Sequence, residues 1–175
     1  MSLARYLSLI GGDYGVYQTV STLKGLVNDA LRDPNAAIRL RAESILGPVQ
    51  EKDEEGEVSA LYQFVVSTLH YVDDPSDIEL IKSPLLIDQT VERDGSFMGD
   101  CDDASGYLAA LLKVVGYQVQ FAIVTPVNAE GYDYRHIFVR VWLPKAGAWL
   151  SLDATAKAYP MGWEVPNKKE RVYDV

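Results

Sequence analysis

A thiol, an imidazole and a carboxylate stand at three places in this sequence where together they could carry acyl transfer: Cys101, His136 and Asp153. Cysteine-dependent acyl chemistry needs a thiolate to attack a carbonyl and an imidazole to take and return its proton. A third group must orient that imidazole. Cys101 is the only cysteine among 175 residues, and His136 is one of two histidines. Each has an ordinary structural reading when taken singly: a small buried hydrophobe for the cysteine, strand-end residues for the other two. The surrounding pattern is what sets them apart.

Cys101 lies where a turn becomes a helix. Apolar residues at 104, 107, 108, 111, 112 and 115 recur at helical spacing, which predicts one buried face, and Gly116 supplies a stop. Asp94-Gly95-Ser96 and Gly99-Asp100 are turn and N-cap material, so the helix starts at or beside Cys101. A thiol there sits in the positive field of the helix dipole, which favours the thiolate. His136 opens the clearest strand, 136–143, followed by Pro144-Lys145-Ala146-Gly147 as a hairpin turn and 148–155 as the partner strand. With a four-residue loop Leu143 faces Ala148, Phe138 faces Asp153, and His136 lies diagonal to Asp153 on one face. A two-residue loop keeps that parity; a three-residue loop puts Asp153 on the wrong face.

The rest of the chain must position these residues. Residues 1–15 read as a poorly specified lead-in. Residues 16–72 carry N-terminal helices: one over 16–31, a second from Ala37 to Leu46 ending at Gly47-Pro48, and a third over 58–70 closed by Asp73-Asp74-Pro75. Residues 78–98 give mixed signals and read as mostly loop with room for a short helix. A strand over 118–125 follows the cysteine helix, and residues 158–175 read as a peripheral polar tail. The whole is a single domain, α+β, with the helices packed on a small antiparallel sheet and the chemistry within 95–157.

Composition narrows the function. A net charge of -9 offers no basic patch for phosphates, which argues against a nucleic-acid partner. One cysteine makes no internal disulfide. No stretch approaches the ~20 apolar residues of a membrane span, and the first residues are too short a hydrophobic run for a secretory signal, so a cytoplasmic protein is expected.

The motifs resemble the transglutaminase-like superfamily. The residues that carry the likeness are Gly-Asp-Cys-Asp-Asp at 99–103, Leu-Ala-Ala-Leu-Leu at 108–112, Gly-Tyr-Gln-Val at 116–119, His-Ile-Phe-Val-Arg-Val at 136–141 and Trp-Leu-Ser-Leu-Asp-Ala-Thr at 149–155. Upstream, Ala-Leu-Arg-Asp-Pro at 30–34, Tyr-Val-Asp-Asp-Pro at 71–75 and Ile-Glu-Leu-Ile-Lys-Ser-Pro at 78–84 are similar to small stand-alone members, often found in bacteriophage or prophage gene sets. The resemblance implies a papain-like arrangement with Cys101 as nucleophile, His136 as general base and acid, and Asp153 as the orienting carboxylate. It implies hydrolysis of an amide, peptide or isopeptide bond, with amine transfer as the other fate of the acyl-enzyme and no cofactor. The rival class is a non-catalytic peptide-binding or phage assembly protein that keeps the fold, and a phage-encoded member would be virion-associated.

Secondary roles follow from position. The backbone N–H of Cys101 or Asp102 is a candidate oxyanion donor, with Gln89 or Ser96 as the second. Tyr132, Tyr134 and Arg135 precede the histidine and could line a substrate cleft; Trp149 is a further substrate candidate, although Trp142 and Trp149 pair naturally as hairpin packing. His70 reads as a helix-terminal residue and the back-up base. Asp102 and Asp103 read as solvated first-turn acids, with Asp100 as the cap. Asp100, Asp102 and Asp103 match no calcium-loop spacing, and one Cys with two His makes no zinc site.

Overall fold

The helix that begins at Cys101 lies at the centre of the molecule, and the other elements are arranged around it. The computed structural model describes residues 4–8, 12–75, 78–131 and 133–175. Their elements in chain order are β1 (Ala4–Ser8), α1 (Gly12–Leu31), α2 (Ala37–Leu46), α3 (Glu54–Thr68), β2 (Leu69–Tyr71), β3 (Ile78–Lys82), α4 (Pro84–Asp94), β4 (Phe97–Gly99), α5 (Cys101–Val114), β5 (Val119–Pro126), β6 (His136–Leu143), β7 (Ala148–Leu152) and β8 (Asn167–Asp174). The fold is α+β. An antiparallel sheet in the order β7-β6-β5-β8 covers one side of α5, and α1 to α4 cover the rest. Two small sheets complete it, β1 antiparallel to β3 and β2 parallel to β4.

Helix α5 is buried all round rather than along one face: every residue from Asp102 to Leu112 is buried. The small residues between the apolar positions explain this. A Cβ on Gly106 would stand 3.1 Å from Leu23 Cδ2, so the missing side chain lets α1 approach closely. Ser105 turns the other way and donates its hydroxyl to the Ile137 carbonyl at 3.2 Å, tying α5 to β6. Tyr107 donates to Asp88 on α4 at 2.6 Å, and Asp88 also accepts from Arg41 of α2 at 2.8 Å, so a buried carboxylate links three helices. Positive φ at Gly116 (104°) then allows the sharp exit into β5.

Several sequence expectations change. Residues 4–8, read as part of a lead-in, form a strand on β3. The stretch 78–98 holds two strands and an eleven-residue helix, with Ser83 capping α4 through Leu86 N at 3.2 Å and Pro84 in its first turn. The tail contains β8, which pairs with β5 along its length. It is a sheet edge carrying Lys168, Lys169, Glu170 and Arg171, charges that discourage further strand pairing and hide the strand from a hydrophobicity reading. Helix α3 starts at Glu54 and stops at Thr68, which leaves His70 on β2, exposed, instead of at a helix end. Among the described residues no helix is long and apolar enough to cross a membrane.

Candidate active site

Each residue of the Gly-Asp-Cys-Asp-Asp run has a separate task at the start of α5. Asp100 caps the helix, its carboxylate accepting from Asp102 N at 3.1 Å and Asp103 N at 3.5 Å. Asp103 is buried, not solvated as expected. One of its oxygens accepts from Lys82 N at 2.8 Å and the other holds the Lys82 ammonium, so the last residue of β3 is clamped to the helix. Gly99 makes room for that clamp: a Cβ there would lie 2.6 Å from Asp103 Oδ2. Cys101 is thereby set at the first helical position, half-buried, at the edge of a cleft.

Sheet register brings His136 to the cleft that Cys101 lines. β7 pairs with β6 only from Val139 to Leu143, so the outward backbone groups of Ile137 have no strand partner. Helix α5 takes them. The Ile137 carbonyl accepts from Ser105, and the Ile137 N–H acts on the Cys101 sulfur, favouring its charged form. The sulfur therefore sits against the residue next to His136. The hairpin has the four-residue loop, with Leu143 opposite Ala148, and Asp153 follows the end of β7. His136 Nε2 and Asp153 Oδ2 are 2.6 Å apart. The other carboxylate oxygen accepts from Thr155 N at 3.0 Å and Thr155 Oγ1 at 2.7 Å, while Tyr62 from α3 donates to the Asp153 carbonyl at 3.0 Å. With Nε2 engaged, Nδ1 is the ring nitrogen left for a thiol proton.

A cleft of about 510 Å³ contains both Cys101 and His136. Its walls come from α1 (Gln18, Thr19), from Tyr71, Asp73 and Glu79, from the start of α5 and from the 133–137 segment. Tyr134 and Arg135 line it, as the sequence suggested. Tyr134 presents a buried hydroxyl with no hydrogen-bond partner, and Lys169 stacks over its ring 4.4 Å from the centroid. Tyr132 lies outside the described residues. The remaining candidates are elsewhere. Gln89 is on α4 and lines a separate surface cavity with Arg41 and Arg93. Ser96 sits in the turn between α4 and β4. Trp149 packs on Trp142 with ring centroids 5.6 Å apart, and His70 lines a third cavity with Thr155 and Lys157. The Asp102 N–H is engaged by Asp100, which leaves the Cys101 N–H as the helix-start donor for an oxyanion.

The electrostatics depart from the helix-dipole expectation. The Cys101 thiol is pushed well above its ordinary range by burial first, then by the carboxylates of Asp100 and Asp102, with Glu79 adding to them; the Ile137 N–H pulls the other way. Burial and the nearby carboxylates thus favour the thiol over the thiolate. Burial alone would raise Asp153 as well, but hydrogen bonds and charge from His136, with the two donors of Thr155, hold it below the usual carboxylate range. Asp102 is 1% exposed, and neither of its oxygens meets an N–H or O–H donor. Its neighbours are the carboxyls of Glu79 and Asp100, so burial and like charge raise Asp102 well above the ordinary value and raise Glu79 too. Asp100, Asp102 and Asp103 bring one oxygen each within 4.8 Å of one another. Both oxygens of Asp103 are already committed to Lys82, however, and Asp100 to the helix cap.

Comparison with known proteins gives the family. The model of the transglutaminase-like superfamily matches residues 43–154, more than half of the chain and the segment that holds all three motifs. The chain belongs to the transglutaminase-like superfamily. No curated protein matches it. Among solved structures it is similar to a "putative protease" from Parabacteroides distasonis, with 13% identity and a TM-score of 0.52. That alignment covers 77% of this chain and 25% of the other, so the chain spans about a quarter of that relative's length. It is also similar to a "putative cysteine protease" from Cytophaga hutchinsonii (15% identity, TM-score 0.49, covering 79% and 46% of the two chains). A third is a TGase (18% identity, TM-score 0.47, covering 89% and 42%). At these identities the likeness concerns the fold.

Proposed function

We propose that this transglutaminase-like domain is a cysteine acyl hydrolase acting on an amide, peptide or isopeptide bond. The observation that supports the reading is that Cys101 and His136 line one cleft, with Asp153 2.6 Å from Nε2 of the imidazole. Asp153 accepts from Nε2–H, which leaves the Nδ1 lone pair as base. Because the thiol is favoured over the thiolate, the proton passes from Cys101 to His136 Nδ1 as the sulfur attacks the carbonyl carbon. The oxyanion that forms has the Cys101 N–H as its helix-start donor. Collapse of the tetrahedral species returns the His136 proton to the leaving amine and leaves a Cys101 thioester. Water resolves it with His136 again as base; a second amine would give transfer in place of hydrolysis.

The raised thiol pKa is the one observation that favours the other reading, a non-catalytic peptide-binding or phage assembly protein that retains the fold. Iodoacetamide alkylation of the full-length chain, followed by intact mass across pH 5–9, separates the two. Stoichiometric labelling of Cys101 at neutral pH, slowed at least tenfold in His136→Ala, is the expected result. Equal labelling of both proteins, with a single thiol titration above the ordinary range, would assign the scaffold.

A further inference from the structure

The wall of the cleft beside the nucleophile is built from carboxylates that this chain does not neutralise. Asp73, Glu79, Asp100, Asp102 and Asp133 all line it, against the single guanidinium of Arg135 and the imidazole of His136. The ammonium of Lys82 is held by Asp103, and that of Lys169 stacks over the Tyr134 ring. Asp100 and Asp102 bring oxygens within 4.8 Å of one another, and Glu79 acts with them on the Cys101 sulfur. Independently of that crowding, Asp102 lines the cleft with both oxygens buried and without a donor. A buried carboxylate left in that condition carries a desolvation cost of several kcal/mol that only a proton or a cation removes. Natural interiors seldom retain it without a use.

We propose that this acidic wall is a subsite for a cationic group of the substrate, a lysine, arginine or diamino-acid side chain next to the amide that Cys101 attacks. This rests on the hydrolase reading above and names its substrate class. An ammonium or guanidinium brings N–H donors as well as charge, so it supplies partners to the carboxylates of Glu79, Asp100 and Asp102 that line the cleft and offsets the repulsion among them. A divalent metal fits less well, since calcium takes about six to eight oxygens and those of Asp103 and the capping oxygen of Asp100 are already engaged.

The test is protection of Cys101 in the full chain from iodoacetamide by capped pentapeptides, alanine throughout except for a central lysine, norleucine or glutamate. The lysine peptide is expected to protect at about tenfold lower concentration than norleucine, with glutamate weakest. The preference is expected to shrink between ~0.05 and ~0.5 M salt and to vanish in Glu79→Gln, whose fold is checked by its melting curve. The salt series on the unaltered protein keeps the test valid if that variant does not fold. Equal protection by lysine and norleucine, or a preference indifferent to salt, overturns the proposal. So does calcium that binds at about 1 mM and abolishes the preference, since the wall would then be a metal site. Failure of the hydrolase reading looks different: labelling of Cys101 would not respond to His136→Ala at all.

Discussion

Asp153→Asn is nearly isosteric, yet the structure predicts that it disables the imidazole. The wild-type carboxylate divides its oxygens, Oδ2 to His136 Nε2 at 2.6 Å and Oδ1 to the N–H and hydroxyl of Thr155 at 3.0 and 2.7 Å. An asparagine has one oxygen and one NH₂ to place. The Thr155 hydroxyl can rotate, but its backbone N–H can only donate, so the amide oxygen belongs on the Thr155 side. The NH₂ then points at Nε2 and requires it to accept, which moves the ring proton to Nδ1, the nitrogen needed as base. The opposite flip leaves the Thr155 N–H facing a donor and costs about 1–3 kcal/mol. That penalty leaves the working arrangement about 5- to 150-fold depleted. The assay is the rate of iodoacetamide alkylation of Cys101 near pH 7, with the ring tautomer read from ¹⁵N shifts of His136. The expected result is a fall in rate within that range, approaching that of Asp153→Ala, with the proton on Nδ1. An Asp153→Asn protein that keeps both the wild-type rate and an Nε2 proton would refute the reasoning, because Asp153 would then neither orient nor charge-stabilise the ring.

Other outcomes follow from the same contacts. Gly99→Ala places a Cβ 2.6 Å from Asp103 Oδ2 and must displace the clamp on Lys82; a loss of about 2–4 kcal/mol is expected by denaturant titration, together with slower alkylation of Cys101. A loss below 0.5 kcal/mol would mean that the clamp shifts freely. Asp102→Asn removes a buried charge and supplies donors to Glu79 and Asp100, so the protein should be no less stable and the alkylation profile of Cys101 should move to lower pH. A profile that stays in place would show that Asp102 does not act on the sulfur. The pH dependence of stability has a definite sign. Burial raises Asp103 to about 6 even though Lys82 opposes it, and Asp74, Glu79 and Asp102 are raised as well, chiefly by burial. A carboxyl raised on folding binds its proton more tightly in the native state, so its contribution is full below the unfolded value near 4 and is lost as pH rises through about 6. Asp153, lowered on folding, has the opposite sign but is outnumbered. Thermal melts should therefore show a higher Tm near pH 5 than at pH 8; the reverse order would contradict the buried carboxyl cluster.

Much of this protein could be read from local signals. The Asp-Pro and Gly-Pro breaks bounded α2, the alternation of β6 and the four-residue turn predicted the register, and the turn residues before Cys101 placed it at a helix start. Those features depend on neighbours a few residues away, so the chain carries them in order. The diagonal of His136 and Asp153 was legible for the same reason, since one hairpin holds both. The edge strand β8 was not, because its charged residues record solvent exposure and not its pairing with β5. Nor were β1 and β3, whose partners are separated by three helices.

The family motifs and the three side chains proposed to react were thus legible in the sequence alone. Tertiary structure decided the environment of the sulfur. Whether Asp102 and Asp103 face water or the interior depends on which surfaces close over the first turn of α5, and β3 closes there, bringing Lys82 to one carboxylate and Glu79 to the other. A helix dipole acts within its own turn and favours a thiolate; burial, the flanking carboxylates of Asp100 and Asp102 turned inward, and Glu79 brought in from β3 oppose it at the same atom. Desolvation and charge are sums over everything nearby in space, and nearness in space is what a linear sequence does not state.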